Sequence, residues 1–167
     1  MSNSFDLPNI ESFAVGTEGP AGERVFYLQA VATTQVVTLR LEKQQVALLA
    51  DYLNRVLASY ELEPSLPATM PSLYQPVISE WIVGSMMVAI DENESRIVVI
   101  AEEMVPDDEN ADPDSPPAGS QARFGLTRSQ VEAFVEGAQA VIQAGRPPCR
   151  LCGRPINADG HFCPRLN

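Results

Sequence analysis

The chain has 167 residues, of which 45% are hydrophobic, and its formal net charge is −11 at pH 7. This length and composition can bury one ordinary core, but no apolar run approaches the ~20 residues that a membrane span requires. The acidic balance argues against a general nucleic-acid surface, because phosphate binding needs clustered lysine and arginine.

The first residues, MSNSFDLPNIE, lack the basic and apolar regions of a secretory signal. We therefore expect a cytoplasmic protein.

Three strands and a helix are predicted in the first half of the chain. Residues 11–17 and 24–32 flank a glycine-rich turn at 18–23, a pattern typical of a hairpin. Residues 36–41 alternate apolar and polar side chains, as a half-buried strand does. Val46, Leu49 and Leu53 then recur at the spacing of one helix face, which predicts a helix over 42–59.

Residues 60–79 carry prolines at 64, 67, 71 and 76. Proline fixes φ and removes an amide donor, so we interpret this stretch as a semi-extended linker.

The second half repeats the order of the first, with strands predicted at 81–90, 96–104 and 122–126 and a helix at 127–144. Both alternating sets of residues in 81–90 are apolar, which indicates a central strand covered on both faces. Thr127 and Gln130 have the spacing of a capping box, and Gly145 is expected to end the helix. The acidic segment 105–121 has too few apolar residues to order itself and is predicted to be a mobile loop.

The apolar helix faces match at an offset of 85 residues, which aligns Val46, Leu49 and Leu53 with Val131, Phe134 and Ala138. We interpret this match as an internal duplication, with repeat 1 at about 11–59 and repeat 2 at about 80–145. The predicted fold class is therefore α+β: residues 1–145 form a pseudo-symmetric domain of two strand–strand–strand–helix units, with an antiparallel sheet or a barrel-like core and two helices.

The C-terminal tail, 146–167, contains every cysteine and the only histidine of the chain: Cys149, Cys152, His161 and Cys163. A Cys-x-x-Cys-Gly knuckle lets two thiolates converge, and Gly153 can take the positive φ that the turn needs. Three thiolates and an imidazole would complete a structural, tetrahedral zinc site. The competing interpretations are a redox-active or disulfide-forming pair at Cys149 and Cys152, and unrelated free thiols.

A second candidate site lies where the predicted strands run into the helices. Glu42, Lys43, Gln44 and Gln45 begin the first helix, while Arg128 and Arg146 flank the second. These residues could bind a ligand, or they could simply initiate a helix. No catalytic residues are predicted, because the only histidine is already assigned to the metal and no Ser-His or Cys-His pair remains.

The segments LEKQQVALLA, FxVG[TS] and above all GRPPCxLCGxPxxxxGHxCPRxN resemble an uncharacterised bacterial family, domain of unknown function 3090. The resemblance covers nearly the whole chain and implies that the metal ligands are Cys149, Cys152, His161 and Cys163. It implies no activity. Members of this family look to be encoded beside a histidine-phosphatase-like and a kinase-like protein, which implies a phosphorylated small molecule or a partner enzyme.

The function expected from these patterns is a non-catalytic binding or adaptor module that carries a structural zinc site and engages a protein partner. The alternative is a small-molecule enzyme or phosphate-ligand binder that uses Lys43, Arg128, Arg146 and Arg150. Convergence of these basic residues in one pocket would favour the alternative.

Overall fold

The computed structural model describes residues 2–106, 119–145, 147–156 and 160–166. Within these ranges the chain forms seven strands and two helices, in this order: β1 (Phe5–Leu7), β2 (Ser12–Glu18), β3 (Val25–Ala32), β4 (Gln35–Leu41), α1 (Lys43–Ser59), β5 (Val83–Asp91), β6 (Arg96–Glu103), β7 (Gln121–Leu126) and α2 (Arg128–Gln143). No helix in the described part of the chain is both long and apolar enough to cross a membrane.

The strands form two sheets, with the orders β1-β7-β6-β5 and β2-β3-β4. Neighbouring strands are antiparallel except β1, which pairs in parallel with β7. The predicted α+β class is confirmed. β1 was not predicted, because a three-residue strand is too short to show a period of two.

Backbone hydrogen bonds join the two sheets at both ends. At one end the amide of Arg40 in β4 donates to the carbonyl of Trp81, just before β5, at 3.0 Å; at the other, the amide of Ile10, just before β2, donates to the carbonyl of Gly125 in β7 at 3.5 Å. The two sheets therefore enclose a common core, which is closer to the barrel-like alternative than to one shared sheet.

Both helices bury their predicted apolar faces. Val46, Leu49 and Leu53 of α1 are no more than 4% exposed, and the three matching residues of α2 are fully buried: Val131, Phe134 and Ala138. α1 packs against α2, and α2 also packs against β2. The helix pair thus covers the core, and the predicted burial of all six residues is confirmed.

Glutamine side chains tie the start of each helix to the opposite half of the chain. Gln130 accepts from the amide of Thr127 at 2.9 Å, which confirms the capping box, and donates to the carbonyl of Ile10 at 2.8 Å. Gln45 accepts from the amide of Glu42 at 2.8 Å and donates to the carbonyl of Val83 at 3.1 Å. The two helix starts therefore make corresponding contacts.

Residues 60–79 form neither helix nor strand, yet they pack closely on the core. The Gln29 side chain is buried; it accepts from the amide of Tyr74 at 2.7 Å and donates to the Thr38 hydroxyl at 3.0 Å. A Cβ on Gly16 would lie 2.6 Å from Leu73. The linker therefore covers the outer face of the three-stranded sheet.

Two local predictions were wrong. β5 is an outer strand, not a central one, and Met87 at its middle is 50% exposed. Met86, Val88 and Ile90 pack against the core, whereas Met87 lines an open groove instead of a second covering layer. The C-cap residue of α2 is Ala144, with φ −67°, and Gly145 after it does not have the positive φ that a glycine ending a helix usually has. Most of the predicted acidic loop, residues 107–118, lies outside the described residues.

Candidate metal centre

A small antiparallel turn places the first two cysteines. Pro148 and Pro155 form an antiparallel bridge, and the amide of Cys149 donates to the carbonyl of Arg154 at 2.8 Å. The amide of Gly153 donates back to the carbonyl of Cys149 at 2.8 Å, with φ +74° at Gly153. A left-handed residue closes this turn at little cost only if it lacks a Cβ, so the predicted role of Gly153 is confirmed.

The second pair of side chains reaches the same point from the other side. Gly160 has φ +86°, and His161 and Cys163 follow it. The Arg165 guanidinium donates to the carbonyl of Leu151 at 3.0 Å, which ties this segment to the cysteine turn. These contacts all lie within the tail, so the tail itself arranges the four side chains.

The ligand atoms of Cys149, Cys152, His161 and Cys163 all lie within 4.8 Å of one another. The Sγ atoms of Cys149 and Cys163 are 3.8 Å apart, and Cys152 Sγ is 3.2 Å from His161 Nε2. A tetrahedral ion with metal–sulfur bonds of about 2.3 Å would separate two sulfurs by about 3.8 Å, and a sulfur and a nitrogen by about 3.5 Å. The cluster therefore has the size of a tetrahedral metal site.

The three cysteines are free thiols, and the 3.8 Å between Cys149 and Cys163 far exceeds a disulfide bond of about 2.05 Å. The disulfide interpretation concerned Cys149 and Cys152. In the structure these two residues share their cluster with a third thiol and an imidazole. A metal accounts for all four side chains, whereas a redox pair accounts for two.

The protein environment favours the thiolate at one cysteine and opposes it at another. Amide hydrogen bonds from Cys152 and Leu151 lower the pKa of Cys149. The Arg165 amide lowers the pKa of Cys163, but burial and the neighbouring Cys152 and Cys149 sulfurs outweigh it, so this pKa is raised. Like charges gathered in one place disfavour ionisation, so a cation is the natural partner of three clustered thiolates.

The donor set suits a structural site. Three sulfurs and an imidazole nitrogen are the ligands that zinc prefers, and four protein ligands leave no open position for water or substrate. Cys149 and Cys163 are buried, whereas Cys152 and His161 are partly exposed. This arrangement can hold an ion through four protein ligands.

The structure does not gather the other candidate residues in one place. Glu42 and Lys43 line a pocket of about 210 Å³ with Arg24 and Gly145, which is smaller than most ligand cavities. Gln44 is exposed, and Gln45 contacts the start of β5.

Arg128 lies at the other end of α2, roughly 25 Å from Gly145 along the helix, and pairs with Glu132 at 2.9 Å. Arg146 lies outside the described residues. Lys43 and Arg128, two described members of the basic set, are therefore far apart and do not line one pocket.

Sequence reasoning also passed over three apolar residues of the tail. Leu151, Phe162 and Leu166 are 48%, 84% and 71% exposed. Their exposure could have been predicted from the sequence, because the tail is too short to build a core that could cover them.

The molecule is thus a two-sheet α+β protein with a C-terminal cluster of three cysteines and one histidine suited to a metal ion. Residues 5–163 match the sequence profile of the family described as Protein of unknown function (DUF3090), and the chain belongs to this family. No curated protein and no solved structure matches the chain significantly.

Proposed function

We propose that this chain is a non-catalytic binding module in which a structural zinc ion, held by Cys149, Cys152, His161 and Cys163, shapes a tail that engages a partner protein. The observation that carries the proposal is the convergence of the four ligand atoms within 4.8 Å. Zinc binding would fold the tail, because a segment of about 20 residues cannot bury enough surface to order itself.

The surface around the metal centre supports a binding role. Leu151, Phe162 and Leu166 expose apolar side chains there. No ion pair of the described residues involves the tail arginines Arg150, Arg154 and Arg165. Exposed apolar groups beside free cations are typical of a protein-binding surface. A partner with an apolar centre and an acidic rim would complement it.

The metal part of the proposal is tested by elemental analysis of freshly purified, reduced protein. We expect about one zinc per chain, and loss of that zinc in Cys152→Ser. The matched control is Arg154→Ala, which should keep the metal because only the backbone of Arg154 contributes to the turn. Absence of metal from the wild-type protein, or retention in Cys152→Ser, would contradict the zinc site.

The binding part is tested by affinity capture from a lysate of the native host, using wild-type protein and Phe162→Asp. Both proteins should contain zinc, since Phe162 is not a ligand and is largely exposed. We expect a protein that the wild type retains and Phe162→Asp does not. Identical captured proteins in the two samples would refute this surface as the binding site.

We also infer that the two halves arose by duplication. The hairpins β3–β4 and β6–β7 have matching registers, since Phe26 faces Leu41 and Ile97 faces Leu126. Gln45 and Gln130 make the corresponding contacts described above. If the halves are equivalent, residues 80–145 expressed alone should form a homodimer that rebuilds both sheets. A monomeric or unfolded product would count against duplication.

A further inference from the structure

A groove of about 630 Å³ runs between α1 and β5. Leu48 and Tyr52 line its helix wall, and Met86 and Met87 line its strand wall. Leu48, Tyr52 and Met87 are 60%, 47% and 50% exposed, although covering such side chains is favourable. This surface, called the α1–β5 groove below, is separate from the metal centre, and the inference does not depend on the proposed zinc site.

The strand wall of the groove is a free sheet edge. Among the described residues, β6 is the only strand that pairs with β5. On the opposite side of β5 there is a single bridge, between Ile82 and Arg40, and it lies just before the strand begins. Gln45 donates to the carbonyls of Val83 and Gly84 and closes that end of the groove.

From residue 85 to residue 90 the edge contains neither a charged residue nor a proline, the devices that normally protect an edge. Its outward amide and carbonyl groups can therefore accept an added strand.

The other half of the molecule covers the corresponding surface with its own chain. α2 packs directly on β2, where the rings of Phe13 and Phe134 lie 4.7 Å apart. The extended linker 60–79 lies outside them, with Met70 against Gly137 and Leu73 against Gly16. No linker residue, and no tail residue that the structure describes, lines the α1–β5 groove. The linker on the α2–β2 surface thus shows which kind of segment the α1–β5 groove can hold: an extended and apolar one.

The charge and the shape of the groove indicate which kind of ligand it can bind. Among the described residues that line the groove, Arg55 is the only charged one, on a chain whose net charge is −11. Arg55 forms an ion pair with Asp51, and both side chains are about two-thirds exposed. Because exposed ion pairs are weak, Arg55 can instead bind a carboxylate of an incoming ligand. A helix on one side and a strand on the other leave room for a single extended chain rather than for the sheet of a second copy.

We propose that the α1–β5 groove binds an extended segment of another protein, which adds as a strand to β5. Alternate side chains of that segment would be apolar and would contact Leu48, Tyr52 and Met87, because side chains of a strand alternate between its faces. A carboxylate of the segment would bind Arg55.

The probe is a library of random nonapeptides displayed on phage and selected on the full-length protein in the presence of zinc. Enriched peptides are synthesised with a fluorescent label and titrated by anisotropy. We expect sequences with alternate apolar residues, and affinities that fall at least tenfold in Leu48→Glu and in Met87→Gln, which alter opposite walls. The matched control is Leu66→Glu, because Leu66 is 87% exposed and lies in the linker, outside the groove. Bound peptide should slow amide exchange in residues 85–88.

Three results would overturn the proposal. The first is a selection that enriches no sequence, and the second is a set of peptides that bind Leu48→Glu as tightly as Leu66→Glu. The third is a wild-type dimer in sedimentation that dissociates in Leu48→Glu, which would show that the groove binds a second copy. Because both wall positions are partly exposed, the variants should fold, and unchanged circular dichroism confirms it.

Discussion

Phe134 offers the most direct test of how the core is assembled. It is fully buried on α2, and its ring lies 4.7 Å from Phe13 at an interplanar angle of 43°. Phe13 in turn lies 5.7 Å from Phe124. These rings belong to α2, β2 and β7, so they join the helix layer to both sheets.

The substitution Phe134→Ala should lower the free energy of unfolding by about 4 kcal/mol. Removing a buried phenylalanine costs about 3–5 kcal/mol through lost transfer energy and the cavity that remains. A value in the middle of that range, and not at its lower end, is expected because Phe13 and Phe124 are anchored in different sheets and cannot both move inward to fill the cavity. The lost ring pair is itself worth about 0.5–1.5 kcal/mol.

Urea unfolding followed by far-ultraviolet circular dichroism, with zinc in excess, measures this change. With a slope of about 2 kcal/mol per molar urea, the midpoint should fall by about 2 M. Phe162→Ala is the matched control: that ring is 84% exposed, so its removal should change the stability by less than about 0.5 kcal/mol. A loss below about 1.5 kcal/mol for Phe134→Ala at an unchanged slope would refute the packing described here.

Three further outcomes are expected. Gly125→Ala should destabilise the protein by more than about 2 kcal/mol in the same urea assay, because its Cβ would overlap the backbone oxygen of Pro8; wild-type stability would contradict this contact. Gln29→Leu should cost about 1–3 kcal/mol, because it leaves the Tyr74 amide without its buried acceptor, and a neutral result would mean that the linker does not pack there. Metal chelation should speed amide exchange at Gly153 without changing the helical circular dichroism signal, because every proposed ligand lies in the tail; loss of the helical signal would show that the body depends on the metal.

Local sequence patterns determined much of the secondary structure. The apolar spacing of Val46, Leu49 and Leu53 predicted which face of α1 is buried, and Thr127 with Gln130 predicted where α2 begins. The four residues of the cysteine–histidine cluster could be named for a similar reason. Two cysteines three residues apart have the usual spacing of paired metal ligands, so a short-range pattern was enough to predict the cluster.

The tertiary structure alone decided how these pieces meet. The apolar residues of β5 satisfied both the central-strand and the edge-strand interpretation, because periodicity reports which residues are apolar and not what covers them. Residues 60–79 looked like a spacer, since prolines exclude regular structure but do not prevent packing. The separation of Lys43 from Arg128 likewise follows from the length and direction of α2. Partners distant in sequence are chosen by burial and shape complementarity across the whole chain, and these are properties that no local window contains.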